Sequence, residues 1–327
     1  NLIPSKRQGS GLISLQSLFL LLHFGKNRIE SGLGFCLIIE EPELHLPPAI
    51  QRRILHRIKS LSSQIIVSTH SPLIAGFSDP TDLFVLNKSD GQLKSLPLLK
   101  ERITNATPNA IRTLFQLKRV ELVTALMAEV VIVPEGILDY ELLTILLKAI
   151  ELQPGVQNEL IPASVGLIPT HDSAVELTTN ILRNCHPLVI ALVDGDPAGQ
   201  GYSEALAVNA NQVIIRWPEN QTIEDIIGWV IGDQWELISP LLAGLPDVPA
   251  TLIDLIIRMK RIDRNPPSGF KQDRVAYETI AQAIISNDEC VLRCIRLFKG
   301  ISAVAKGIAT EQFVRLNEDN KIYIFQL

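Results

Sequence analysis

Two rhythms of apolar and polar positions run along the chain. Short, fully apolar runs that end in acidic or polar residues read as buried parallel strands. In the first third these are residues 34–39 (GFCLII), 64–68 (QIIVS) and 82–87 (DLFVLN). Residues 49–61 instead space their apolar positions as a helix does and put basic residues on the other face. Residues 1–25 read as a glycine-containing turn (Gly9, Ser10, Gly11) followed by an apolar helix. A turn is expected at 87–91, and the mixed stretch 104–127 reads as a helical connector.

A regular alternation then begins. Strands are predicted at 129–133, 160–165, 188–193 and 212–216, with helices at 138–151, 173–185 and 203–209. A β-α-β-α-β-α-β order predicts a parallel sheet covered by helices on both faces. From Ile223 onward the pattern is mostly helical, interrupted at 265–269, and no internal repeat is visible. The expected division is an α/β domain at 1–100, a connector at 101–127, a second α/β domain at 128–230 and a helical extension at 231–327.

Composition narrows the setting. The chain has 327 residues, 46% of them hydrophobic and 20% charged, which suits two globular domains. A formal net charge of −5 excludes a polycation, so any nucleic-acid contact needs a local basic patch or a metal ion. Cys36, Cys185, Cys290 and Cys294 have neither zinc spacing nor the density of a disulfide scaffold, and a reducing cytoplasm is expected. Cys290 and Cys294 could share a helical face and read as core. The apolar stretch 12–22 is too short to span a bilayer, so no membrane association is expected. The chain begins with Asn1 in mid-pattern, which suggests a fragment.

Two sets of acids carry candidate chemistry. In LIIEEPELHL (37–46), an apolar strand delivers Glu40 and Glu41 at its C-terminal end, where ligands of open α/β sheets sit. In a phosphate-processing site the first acid holds Mg²⁺ through its water shell and the second polarises the attacking water. IIVSTHSP (65–72) ends a second strand in His70, placed to contact a γ-phosphate. There is no G-x-x-x-x-G-K-[ST] in the chain.

The second set lies in VVIVPEGILDYELL (130–143) and VIALVDGDPAGQ (189–200). Gly136 lets the backbone turn after Glu135, and Asp139 follows in the first helical turn. Asp194 and Asp196 flank Gly195 at the end of another strand. Four carboxylates from two parallel strands make a hard oxygen site suited to Mg²⁺ or Mn²⁺, able to support phosphodiester cleavage.

Together these motifs resemble the overcoming-lysogenization-defect family of ATP-dependent endonucleases, in which part of an ABC-like ATPase domain is joined to a Rossmann-like Toprim domain. The resemblance covers most of residues 1–275. It implies that Glu40 binds metal, Glu41 is the catalytic carboxylate and His70 the switch. It also implies that GSGLISLQ (9–16) is a degenerate signature loop, with Ser10 and Gly11 facing a partner's nucleotide, and that 43–46 lies in a partner-facing loop. The P-loop is then expected upstream of Asn1. In the Toprim part, marked by the DxDxxG motif (Asp194, Asp196, Gly199), Glu135, Asp139, Asp194 and Asp196 become metal ligands. WPENQTIEDIIG (217–228) resembles a further acidic motif, with Glu224 and Asp225 as candidates ahead of Glu219. Lys271, in SGFKQDR, matches a lysine held to stabilise transition-state charge. Glu40 departs from the usual Asp, Asp139 stands where Glu is common, and Pro134 before the glutamate is unusual.

DNA, a homo-oligomeric partner and roles in phage defence or DNA repair are implied. Residues 258–274 carry Arg258, Lys260, Arg261, Arg264, Lys271 and Arg274 against Asp263 and Asp273, which makes a phosphate-backbone tract or a solvated face. Two rival readings stay open: another Toprim phosphoryl transfer, and a nucleotide-gated DNA-binding scaffold with a non-catalytic acid site. None of Tyr140, Tyr202, Tyr277 and Tyr323 has the setting of a strand-passing nucleophile. His171, Cys185 and His186 read as structural.

Overall fold

The computed structural model describes residues 10–44, 46–60, 62–89, 91–151, 164–208, 212–263, 265–316 and 321–326. The chain divides into two compact units, residues 1–83 and 84–327, so the first boundary falls earlier than the sequence suggests.

In the first unit, α1 (Ser10–Glu30) precedes β1 (Cys36–Glu40), α2 (Pro48–Ser60), β2 (Gln64–Ser68) and the short α3 (Pro72–Ala75). α1 stops where Gly32 takes φ +75 and the Leu33 N–H reaches back to the Arg28 carbonyl at 2.8 Å, a glycine-terminated cap. Pro48 and Pro72 open their helices, where a missing N–H costs nothing. β1 and β2 pair in parallel from Cys36↔Gln64 to Glu40↔Ser68. Leu22, Leu37 and Ile58 form a small core. On the other face of the sheet the paired residues Ile38 and Ile66 are exposed.

The second unit starts with an antiparallel hairpin, β3 (Phe84–Ser89) and β4 (Gln92–Pro97). The strand expected at 82–87 is the first arm of that hairpin. The connector follows as α4 (Asn109–Arg112), a π-helical turn at Thr113–Leu117 and α5 (Arg119–Leu126). The strands β5 (Val130–Pro134), β6 (Val165–Leu167), β7 (Val189–Val193) and β8 (Val213–Arg216) alternate with α6 (Ile137–Glu151), α7 (Val175–Leu182) and α8 (Pro197–Ala207). These four strands lie parallel in the order β6-β5-β7-β8, as the rhythm predicts. Of the strand expected at 160–165, residues 160–163 lie outside the described residues.

Every residue of β5 and β7 is buried, the mark of strands covered on both faces. Val130, Ile132, Ile190, Leu192 and Ile215 join one large core cluster, whereas the alternating Val131, Val133, Ala191, Val193 and Ile214 are buried outside it. Each such aliphatic side chain contributes about 1.5–3 kcal/mol on burial.

After β8 come α9 (Ile223–Ile231), α10 (Trp235–Ile238), α11 (Leu252–Met259), α12 (Arg274–Ile285) and α13 (Asp288–Ala305). The region expected to be a mostly helical extension then returns to the sheet. β10 (Ile322–Phe325) pairs in parallel with β8, and β9 (Phe313–Arg315) pairs antiparallel with β10. These strands of three and four residues are too short to carry a periodicity of their own. Phe313 and Phe325 pack into the large core cluster with α13, so 231–327 is part of the second domain. Cys290 and Cys294 are buried in α13, as core residues. Among the described residues no helix is long and apolar enough to cross a membrane.

Candidate active site

β5 and β7 are neighbours in register, Pro134 opposite Leu192, so the residues just past their C-terminal ends meet. The Asp194 N–H donates to Glu135 Oε2 at 2.9 Å, and Glu135 is buried. The buried Thr170 hydroxyl donates to the Pro134 carbonyl at 2.8 Å and fixes the same strand end. Asp139, in the first turn of α6, accepts the Gly136 N–H at 3.0 Å.

The DGDPAG loop is shaped by backbone contacts. A Cβ on Gly195 would stand 1.7 Å from the Pro218 carbonyl oxygen, and one on Gly199 would stand 2.1 Å from the Asp194 carbonyl oxygen. Both positions therefore require glycine. The Gly195 N–H donates to Gln221 O at 2.8 Å, and the Asn220 N–H returns to Gly195 O at 2.9 Å. This zips the loop after β8 onto the aspartate loop and delivers α9. Asp196 is the N-cap of α8: it accepts the Gly199 N–H at 2.8 Å, with Pro197 at the first helical position. The helix expected at 203–209 thus starts six residues earlier.

Four other acids act on the charge of Asp194. Burial first, then the charges of Asp139, Glu135, Glu224 and Asp196, push the Asp194 carboxyl up to about 9. Asp194 Oδ1 is buried with no hydrogen-bond partner. A buried, partnerless oxygen among like charges fits a hard divalent cation in kind, because the cation would relieve both penalties. The ligand shell is not closed, however. Among the described residues no three His, Cys, Asp or Glu side chains converge closely enough to hold one ion. The expectation that Glu135, Asp139, Asp194 and Asp196 share a common point within a few Å is corrected accordingly. Each of the Glu135, Asp139 and Asp196 carboxylates instead accepts a backbone N–H.

The structure separates the two candidates on α9. Glu224 is buried and its charge reaches Asp194, whereas Asp225 closes a capping box with Thr222 and pairs with Lys260 at 2.6 Å. Lys271 donates its N–H to Arg261 O at 3.0 Å. The next residue, Gln272, donates its N–H to Tyr277 Oη at 3.4 Å. Burial, aided by the charges of Glu224, Asp139 and Glu141, pushes Tyr277 up to about 12.

Most of the basic window is consumed internally. Arg258 is fully buried: it donates to the carbonyls of Ser268 (2.7 Å), Pro246 (2.6 Å) and Asp247 and lies 4.1 Å over the Phe270 ring. Arg261 pairs with Asp263 and Arg274 with Glu141, while Arg264 lies outside the described residues. His186 donates from Nε2 to Ala128 O (3.0 Å) and accepts the Leu188 N–H at Nδ1 (3.2 Å), a neutral imidazole whose pKa burial lowers.

In the first unit Glu40 ends β1, exposed, and Glu41 follows with φ +44. A left-handed glutamate is strained backbone of the kind found at functional turns. His70 Nε2 stands 3.4 Å from Glu41 Oε1. Glu43 binds the two motifs together, although the sequence marked it only as part of a loop. Its Oε1 accepts from Thr69 Oγ1 (2.6 Å), His70 N–H (2.9 Å) and Ser71 N–H (3.1 Å). Ser10 and Gly11 open α1, and their side chains, like residues 1–9 and 45, lie outside the described residues.

Sequence reasoning also missed Thr222, Thr170 and Lys260. The T-x-x-D spacing of TIED signals the capping box, but no local pattern announces the partners of Lys260 or Thr170. No curated protein matches the chain. Residues 4–76 match the family model described as "AAA domain, putative AbiEii toxin, Type IV TA system", so the stretch that holds Glu40, Glu41, Glu43 and His70 is similar to an AAA-type ATPase domain, and the acids on β5, β7 and α9 lie outside the match.

Proposed function

We propose that the second unit is a Toprim-type endonuclease that hydrolyses DNA phosphodiester bonds with Mg²⁺ or Mn²⁺, under the control of the AAA-type unit. The observation that carries this reading is Asp194: a buried carboxyl with an orphan oxygen, facing four other acids at the C-terminal edge of a parallel sheet. Glu135, Asp139, Asp194, Asp196 and Glu224 would hold the cation. When bound, the cation supplies Lewis acidity and a more acidic water. Lys271 would supply the cationic group that stabilises transition-state charge. In the AAA-type unit, Glu40 and Glu41 suit metal binding and water polarisation, and His70 suits phosphate sensing. ATP requires a P-loop that these 327 residues do not contain. Self-association through Ser10 and Gly11 belongs to the same proposal.

The rival is a nucleotide-gated scaffold with an inert acid site. That no three of the described acid side chains converge closely enough to hold one ion favours it. Nicking of supercoiled plasmid decides between them. The wild-type chain with MnCl₂ is expected to convert plasmid to open circles, and Asp194→Ala or Glu135→Ala to lose about 100-fold or more of the rate. His186→Ala should keep nicking. Wild-type nicking by Asp194→Ala would place the activity elsewhere, and no nicking by the wild type would favour the scaffold.

A further inference from the structure

Lys260 follows α11 and meets the N-terminus of α9. Its Nζ lies 2.6 Å from Asp225 Oδ2, and the same oxygen accepts the Thr222 N–H at 2.8 Å. Thr222 has a single hydroxyl hydrogen to donate. Two carboxylates stand within its reach: Glu224 Oε2 at 2.5 Å and Asp225 Oδ2 at 3.3 Å. Because the ammonium and a backbone N–H already satisfy Asp225, the hydroxyl hydrogen is left for Glu224. That bond matters because Glu224 is 5% exposed, and a buried carboxylate without a donor is costly.

We infer that Lys260 is a positioning residue for the proposed metal centre: through Asp225 and Thr222 it holds the Glu224 carboxylate toward the acids at the ends of β5 and β7. The inference rests on the metal-site reading above. It assigns a task to a lysine that the sequence marked only as one charge in a basic window. Partners one step removed from a ligand set typically change metal affinity 10–100-fold when lost.

The sign of the effect separates positioning from simple charge. A cation near a metal site repels the metal, so a purely through-space role makes Mn²⁺ bind more tightly once Lys260 is neutralised. Positioning makes it bind more weakly.

The test is titration of the whole chain with MnCl₂, read by calorimetry and by loss of the free-Mn²⁺ spin-resonance signal, with circular dichroism as the folding control. Lys260→Met is expected to weaken Mn²⁺ binding about 10-fold, and Lys260→Arg to restore it. Thr222→Val, which keeps the shape and removes the hydroxyl, is expected to show the same loss and serves if Lys260→Met folds poorly. Unchanged or tighter binding by folded Lys260→Met, or unchanged binding by Thr222→Val, overturns the inference while leaving the metal site standing. No Mn²⁺ binding by the wild type overturns the metal-site reading and the inference with it.

Discussion

The amide of Asp194 and the carboxylate of Glu135 are joined at 2.9 Å across two parallel strands, so the first acid is held by a backbone that also carries the second. This leaves Asp194 Oδ1 buried, without a donor, among like charges.

That environment sets a pH dependence. The Asp194 carboxyl titrates near 9 in the folded chain, against an ordinary value of 3.8. The native state therefore binds this proton more tightly than the unfolded state, and unfolding free energy falls as pH rises. The contribution is fully present below the ordinary value and lost as pH climbs through about 9. In EDTA, melting temperature should drop between about pH 5 and about pH 9, and Asp194→Asn should flatten that slope. An equally steep slope in Asp194→Asn would show that other groups control it.

The aspartate loop tolerates no side chain at Gly195. Gly195→Ala drives a Cβ into the Pro218 carbonyl and should cost about 1–3 kcal/mol, seen as a lower urea midpoint. Gly201, inside α8, faces open space. Gly201→Ala should be stabilising by roughly 0.5–1 kcal/mol through helix propensity.

Arg258 and Arg261 should behave oppositely to what their common charge suggests. Arg258→Met removes a buried guanidinium from the carbonyls of residues 246, 247 and 268, and should cost about 1–3 kcal/mol. Arg261→Ala breaks one partly exposed ion pair and should change stability by about 0–1 kcal/mol. Equal losses in chemical denaturation would contradict the clasp assigned to Arg258.

Without a P-loop the acids after β1 have no cradle for nucleotide phosphates. The purified 327-residue chain should not hydrolyse ATP above background. A turnover that Glu41→Gln abolishes, measured by phosphate release, would mean that another segment of this chain supplies the missing loop.

Much of this was legible in the sequence. β5, β7 and β8 announce themselves because strands buried on both faces are apolar throughout, and Glu135, Asp194 and Asp196 were found at their ends. Glu224 and Asp225 could not be told apart, because the choice depends on Lys260 reaching back from α11. The basic window hides a similar long-range dependence. Arg258 counts as a surface charge in any linear tally, yet its guanidinium is consumed by three backbone carbonyls. β9 and β10 were missed since a strand of three or four residues is specified by the neighbour it pairs with.

The late return of β10 has a kinetic meaning. Ile214 finds its partner Ile322 only after α9 to α13 have been made. Closing so long a loop carries an entropy cost that local contacts do not, and long-range pairings of this kind slow folding. Until then β8 is an open edge offering unpaired N–H and C=O groups to any passing strand. The yield of native protein should therefore depend on how fast synthesis delivers residues 313–325 relative to encounters between nascent chains.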